Sequence, residues 1–255
     1  MLFLVLSTMA KKEKEKKKLT LTKKPKNPTV IEGFPGIGLV GTIATGFLID
    51  HLKCEKIGSY FFETVHTPSM VAIHECKMVD PVGIYYNKKS NIVIIHAITS
   101  AAGLEWQVAE LIIDVCKQLE AKELVTLEGV GSTGEPSGKD TKAFYFTKDP
   151  ALSKKLDKLG HKCLNEGIIV GSTAAILLKS PFKTTCLFAE THTKMPDSKA
   201  AAQIIELVDD YLGLKVDPKP LLKQAEEFEK KLKQIVQHGE KAQKLKKQKK
   251  FTYIG

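Results

Sequence analysis

Three glycines, Gly36, Gly38 and Gly41, fall at G-x-G-x-x-G spacing inside the run Gly33-Phe34-Pro35-Gly36-Ile37-Gly38-Leu39-Val40-Gly41. Between a strand and a helix, such glycines let the backbone turn tightly and present free amides at a helix N-terminus, which suits a phosphate. A dinucleotide site also requires an acid about 20 residues further on, at the end of the second strand. Glu55 precedes the expected second strand and Glu63 follows it, and Pro35 is foreign to the pattern. The run therefore reads first as a tight turn in which a helix and a sheet approach closely. A nucleotide- or nucleoside-binding enzyme using the Gly33–Gly41 loop is the alternative.

A second cluster, Gly129-Val130-Gly131-Ser132-Thr133-Gly134-Glu135-Pro136-Ser137-Gly138-Lys139, ends in Gly-Lys but is not a P-loop. Thr133 stands where that motif needs its first glycine, and Asp140 follows the lysine. Gly171-Ser172-Thr173 follows a further apolar run in the same style. Three such loops at strand C-terminal ends form one rim, where α/β folds bind things. The chemistry to fill that rim is thin. None of the seven histidines stands in HExxH or comparable ligand spacing. His74 and Cys76 share a strand face but read as a half-buried pair rather than as metal ligands. Ser100 and Ser132 lack a G-x-S-x-G setting, Asp209-Asp210 reads as a solvated pair, and Trp106 as a core or interface anchor. No catalytic, metal or cofactor set is assembled from these residues, so no cofactor is expected.

The elements that must carry this rim alternate along the chain. Thr29–Ile31, Ile57–Phe62, Met70–Ile73, Val82–Tyr86, Asn91–Ile98, Leu124–Leu127, Ile168–Val170 and Thr184–Phe188 read as strands. Leu39–Leu52, Leu104–Leu119 and Ala200–Leu212 carry apolar residues at helical spacing. This predicts an α/β fold, a mixed and mostly parallel sheet flanked by helices. Residues 1–27 hold nine Lys and two Glu and read as a basic, flexible extension; 28–216 form the body. Asp217-Pro218-Lys219-Pro220 marks the start of a Lys-rich C-terminal helix and tail, 217–255. There Leu221, Ala225, Phe228, Leu232 and Ile235 recur at alternating steps of four and three, the stripe of a helix that packs on its own domain or on another subunit.

Charge is divided along the same lines. The net charge of +10 consists of +7 in residues 1–27, +7 in 214–255 and −4 in between. All 39 basic residues are lysine. Base reading and bidentate phosphate clamps lean on arginine, so a sequence-specific nucleic-acid protein is disfavoured. No stretch approaches the roughly 20 apolar residues of a membrane-spanning helix. Five scattered cysteines without a CxxC pair fit a reducing cytoplasm.

The run Glu32–Gly41 resembles the opening signature of the proteasome assembly chaperone family, of the type-two kind in its archaeal branch. Further matches follow in order. They are Ile94–Ala97, Leu127-Glu128-Gly129, Gly171-Ser172-Thr173, and Ala189-Glu190-Thr191 with Pro196-Asp197. The resemblance spans residues 28–225. It implies a fold similar to nucleoside phosphorylases without their active site, and a homo-oligomer larger than a dimer. It also implies a non-catalytic role in assembling or activating the proteasome core particle. Family members that bind the core particle end in a hydrophobic residue, a tyrosine and one last residue. Here the chain runs Phe251-Thr252-Tyr253-Ile254-Gly255, with two residues after Tyr253 and Thr252 in the hydrophobic slot. The resemblance thus implies Phe251, Tyr253, Ile254 and Gly255 as the partner-binding tip, read as a peptide ligand for a groove.

Overall fold

The protein is described from a computed structural model, which covers residues 19–63, 70–74, 76–131, 142–191 and 195–223. Its framework is a nine-stranded sheet among these residues. The strands are β1 (Thr20–Leu21), β2 (Thr29–Gly33), β3 (Glu55–Tyr60), β6 (Val82–Asn87), β7 (Ile92–Ala97), β8 (Glu123–Gly131), β9 (Ala143–Thr147), β10 (Lys162–Cys163) and β11 (Thr184–Thr191). Their order is β1-β3-β6-β7-β2-β8-β11-β9-β10. The middle four, β7-β2-β8-β11, are mutually parallel. Antiparallel pairs flank them through β6 on one side and β9 on the other. A separate hairpin pairs β4 (Ala72–His74) with β5 (Lys77–Val79).

Parallel strands need crossovers, and helices supply them on both faces. They are α1 (Val40–His51), α2 (Glu105–Gln118), α3 (Pro150–Lys158), α4 (Ser172–Lys179) and α5 (Ser198–Leu212). Pleating sends Ile31, Ile94, Val125 and Leu187 to one face, against α1 and α5. Val30, Val93, Ile95 and Leu124 go to the other face, against α2 and α4. That double burial explains why β2 and β7 read as continuous apolar runs. Helix ends are set by local chemistry. Asp149 caps α3 by accepting from the Ala151 and Leu152 amides, with Pro150 at the first helical position. Asp197 caps α5, and Gly213 ends it at φ +66°.

Several sequence expectations are corrected. Residues 19–27 are not a loose extension. β1 pairs with β3, Leu21 is buried, and Lys23 Nζ lies 2.5 Å from Glu55. The reason is that β3 would otherwise leave its outer edge bare. Ile168–Val170 is not a strand. It runs outside the sheet, with Ile168 91% exposed, because β9 and β10 occupy the edge beyond β11. Trp106 is no core anchor; half its surface is exposed, and the Lys179 ammonium lies 5.1 Å from its ring centroid. Cys76 sits in the β4–β5 turn rather than on a strand beside His74. Asp209 is not merely solvated: its Oδ1 accepts the Val216 amide at 3.0 Å. Nor does the chain leave the body at 217, since Val216 and Leu221 are both buried in the same core as α5. Leu221, the first position of the C-terminal stripe, is thus spent on the chain's own core. Ala225, Phe228, Leu232 and Ile235 lie outside the described residues.

Candidate functional site

The glycine run occupies the bend between β2 and α1, which a 3-10 turn over Ile37–Leu39 opens. Its glycines are used for close approach. A Cβ on Gly33 would lie 2.2 Å from the Gly41 carbonyl oxygen, and a Cβ on Gly41 2.2 Å from the Leu127 carbonyl oxygen. The N-terminus of α1 is thereby pressed onto β2 and β8. Gly38 has φ +66°, a conformation that L side chains rarely adopt. Gly36 is different: a Cβ there would meet only the Glu128 carboxyl, at 3.5 Å. A carboxyl beside the bend is a poor neighbour for a phosphate, so the geometry favours the packing reading of this motif.

That carboxyl belongs to a pair absent from the sequence expectations. Glu32 on β2 and Glu128 on β8 lie on the sheet face that α2 and α4 cover, at the C-terminal ends of their strands. The parity follows from Glu32 pairing with Thr126, two residues before Glu128. Glu32 is almost wholly buried, and burial, reinforced by the charge of Glu128, holds its pKa well above the ordinary carboxylate range. Burial pushes Glu128 up to about 7, against a hydrogen bond from the Thr173 hydroxyl that lowers it. Glu32 Oε2 and Glu128 Oε2 are buried with no hydrogen-bond partner among the described residues. Two acids so placed resist ionisation, because burial disfavours the charged form. The signal available in the sequence was an acid inside each of two strands otherwise buried on both faces.

Across the sheet, His96 on β7 is partly buried, and its Nδ1 lies 2.9 Å from Thr45 Oγ1 on α1. The Thr45 hydroxyl also donates to the Gly41 carbonyl at 2.8 Å, tying His96 to the glycine bend. Burial lowers the His96 pKa to about 4, so the ring is neutral. No group of three or more His, Cys, Asp or Glu is arranged to hold a metal ion among the described residues.

Glu128 also forms part of the wall of a cleft of about 720 Å³ at the rim of β8, β9 and β11. Ile37, Phe144, Leu164, Ile168 and Val170 supply apolar walls. Gly129, Gly131 and residues 165–170 meet at this cleft, but the expected third loop does not follow a strand, because Ile168–Val170 lies outside the sheet. Residues 132–141 and the tip residues Phe251, Tyr253, Ile254 and Gly255 lie outside the described residues.

The sequence matches the PAC2 family over residues 30–236. The chain belongs to the PAC2 family. This PAC2 protein is 30% identical over 214 residues to an uncharacterized protein of Methanocaldococcus jannaschii, covering 83% of this chain and 86% of that one. Its fold is similar to the crystal structure of Pyrococcus furiosus PbaA, described as an archaeal homolog of proteasome-assembly chaperone. The TM-score is 0.75 and the identity 31%, over 89% of this chain and 99% of that one. It is also similar in fold to Pyrococcus furiosus PbaB, described as an archaeal proteasome activator. There the TM-score is 0.69 and the identity 22%, over 86% and 98% of the two chains. Among the described residues, no helix of this PAC2 protein is long and apolar enough to cross a membrane.

Proposed function

We propose that this PAC2 protein is a proteasome-assembly-chaperone-like protein. In this reading it is a cytoplasmic, non-catalytic homo-oligomer that binds the proteasome core particle to assist its assembly or activation. The observation that carries the reading is the 31% identity to PbaA maintained across 89% of the chain. The site geometry agrees with it. The glycine motif is absorbed by packing, while the rim presents an apolar, acid-walled cleft suited to protein contacts. The tip Phe251, Tyr253, Ile254 and Gly255 is proposed to enter a pocket of the partner. Several tips held on one oligomer would gain from effective concentration even if each binds weakly. The stretch Lys244–Lys250 would add salt-sensitive attraction to an acidic surface.

The test is a titration of archaeal core particle with the full chain, with Tyr253→Ala, and with a chain lacking Phe251–Gly255, at two salt concentrations. Tyr253→Ala is expected to account for most of the deletion's loss, as a buried aromatic anchor does. Binding by none of the three would overturn the core-particle reading, and equal binding by all three would place the contact on the body.

A further inference from the structure

Residues 165–170 hang over the rim cleft. They follow β10, precede the turn into α4, and include the run Ile168-Ile169-Val170. That run has high β-propensity, yet it lies outside the sheet with Ile168 and Val170 largely exposed. Ile37 adds a further exposed apolar side chain at the cleft edge. The described lining also includes Glu128, Glu166 and Glu190, and holds no lysine or histidine. Glu128 Oε2 is buried there without a hydrogen-bond partner among the described residues. The described walls of the cleft are thus apolar and acidic together, and they fit a segment that is apolar and cationic together.

The chain carries one such segment. Residues 241–255 contain Lys241, Lys244, Lys246, Lys247, Lys249 and Lys250, no acid, and the apolar side chains Leu245, Phe251, Tyr253 and Ile254. We propose that this segment docks in the rim cleft of its own chain, its lysines facing Glu166 and Glu190 and its apolar side chains lying along Ile168–Val170. The reach is sufficient. α5 starts at the cleft end of β11 and carries the chain about 22 Å away over its 15 residues. Residues 224–241 cover about 27 Å even if wound as a helix, enough to return to the rim. Docking gives residues 165–170, which make no backbone–backbone hydrogen bond among the described residues, an extended partner, as in strand addition to a sheet edge. The inference does not rest on the core-particle reading. Where both hold, the docked segment is withheld from that partner until the partner competes it away.

The experiment places the photo-cross-linker p-benzoyl-phenylalanine at position 168 of the full chain. That position is almost fully exposed, so the exchange leaves the core untouched. The expected adduct joins position 168 to residues 241–255 within one chain. Its yield is unchanged by hundredfold dilution and falls about fivefold in Glu166→Gln/Glu190→Gln, the loss expected for two partly exposed ion pairs. Adducts only between chains, adducts to other segments, or none at all would overturn the proposal. Amide exchange gives a second reading without the cross-linker. Residues 165–170 should exchange several-fold faster when Lys241, Lys244, Lys246 and Lys247 are all changed to Gln; unchanged exchange would also overturn the proposal.

Discussion

A methyl group at position 41 would have to share space with the Leu127 carbonyl oxygen, 2.2 Å away, and neither backbone can yield without moving α1 off the sheet. Gly41→Ala is therefore expected to cost about 2–3 kcal/mol, as overpacking does. Gly38→Ala should cost about 1 kcal/mol or somewhat more, since its φ of +66° disfavours an L side chain and the new Cβ meets Thr191. Gly36→Ala should be close to neutral. Denaturant unfolding of the three variants checks the order; an equal effect at all three would refute the packing account. Micromolar binding of ATP, NAD or a nucleoside in calorimetry would instead restore the phosphate-cradle reading. The second residue-scale prediction concerns Glu128. Its folded pKa of about 7 lies above the ordinary 4.5, so the folded state binds the extra proton. Stability from this group is full below pH 4.5 and is lost as pH rises through 7. Glu128→Gln should thus change little at pH 5 and stabilise by up to about 3 kcal/mol at pH 8. His96 acts in the opposite sense. Its folded pKa of about 4 lies below the ordinary 6.5, so its contribution is lost as pH falls from 6.5 toward 4. Melting curves of wild type and Glu128→Gln at pH 5 and pH 8 separate the two; an equal shift at both would show that Glu128 does not titrate in this range.

At the scale of elements, α5 is fastened to the sheet by polar as well as apolar contacts. The Tyr211 hydroxyl donates to Glu123 Oε1 on β8, and the Thr185 hydroxyl on β11 donates to the same oxygen at 2.8 Å. These groups are buried, so removing one donor leaves a carboxylate short of a partner. Tyr211→Phe is expected to cost about 1–3 kcal/mol. Tyr86→Phe removes a longer, part-exposed contact, 3.3 Å to Asn91, and should cost under about 0.5 kcal/mol. Comparing the two by urea denaturation tests whether the Glu123 contact holds α5 in place; equal costs would contradict it. At the other edge, β1 covers β3 with two residue pairs and one buried leucine. That small element turns part of a lysine-rich stretch into sheet.

At the scale of the whole molecule, two features point outward. Residues 28–213 carry a net −4 between ends of +7 each. Exposed apolar side chains stand at the rim cleft, on the β4–β5 hairpin at Ile73 and Met78, and at Leu178 and Trp106. Ile73 and Met78 face each other across a hairpin with only three residues in each strand. A two-stranded hairpin is marginal alone in water, and covering its apolar face would stabilise it. The expected outcome is self-association beyond a dimer at micromolar concentration, read by light scattering as more than twice the 28.2 kDa of one chain. A mass of one chain throughout that range would exclude it.

The sequence alone determined the alternating body, because period-2 and period-3.6 apolar patterns are local and strong. β2, α1, β7, α2, β8, β11 and α5 all lie where those patterns put them. It also determined that Gly36, Gly38 and Gly41 form a strand-to-helix bend, since spacing and flanking elements are sequence properties. What it left open was why each glycine is there. The contact of Gly41 with Leu127, about 86 positions away along the chain, exists only once β2 and β8 are neighbours. β9 and α3 escaped because Ala143–Thr147 is short and partly exposed and α3 buries only Leu156. Ile168–Val170 was misassigned because β-propensity says what a segment can pair with, while the tertiary structure decides whether an edge is vacant. Glu32 and Glu128 were visible as letters but not as a pair. Their raised pKa values arise from burial and, for Glu32, from the nearby Glu128, an arrangement that strand order alone creates.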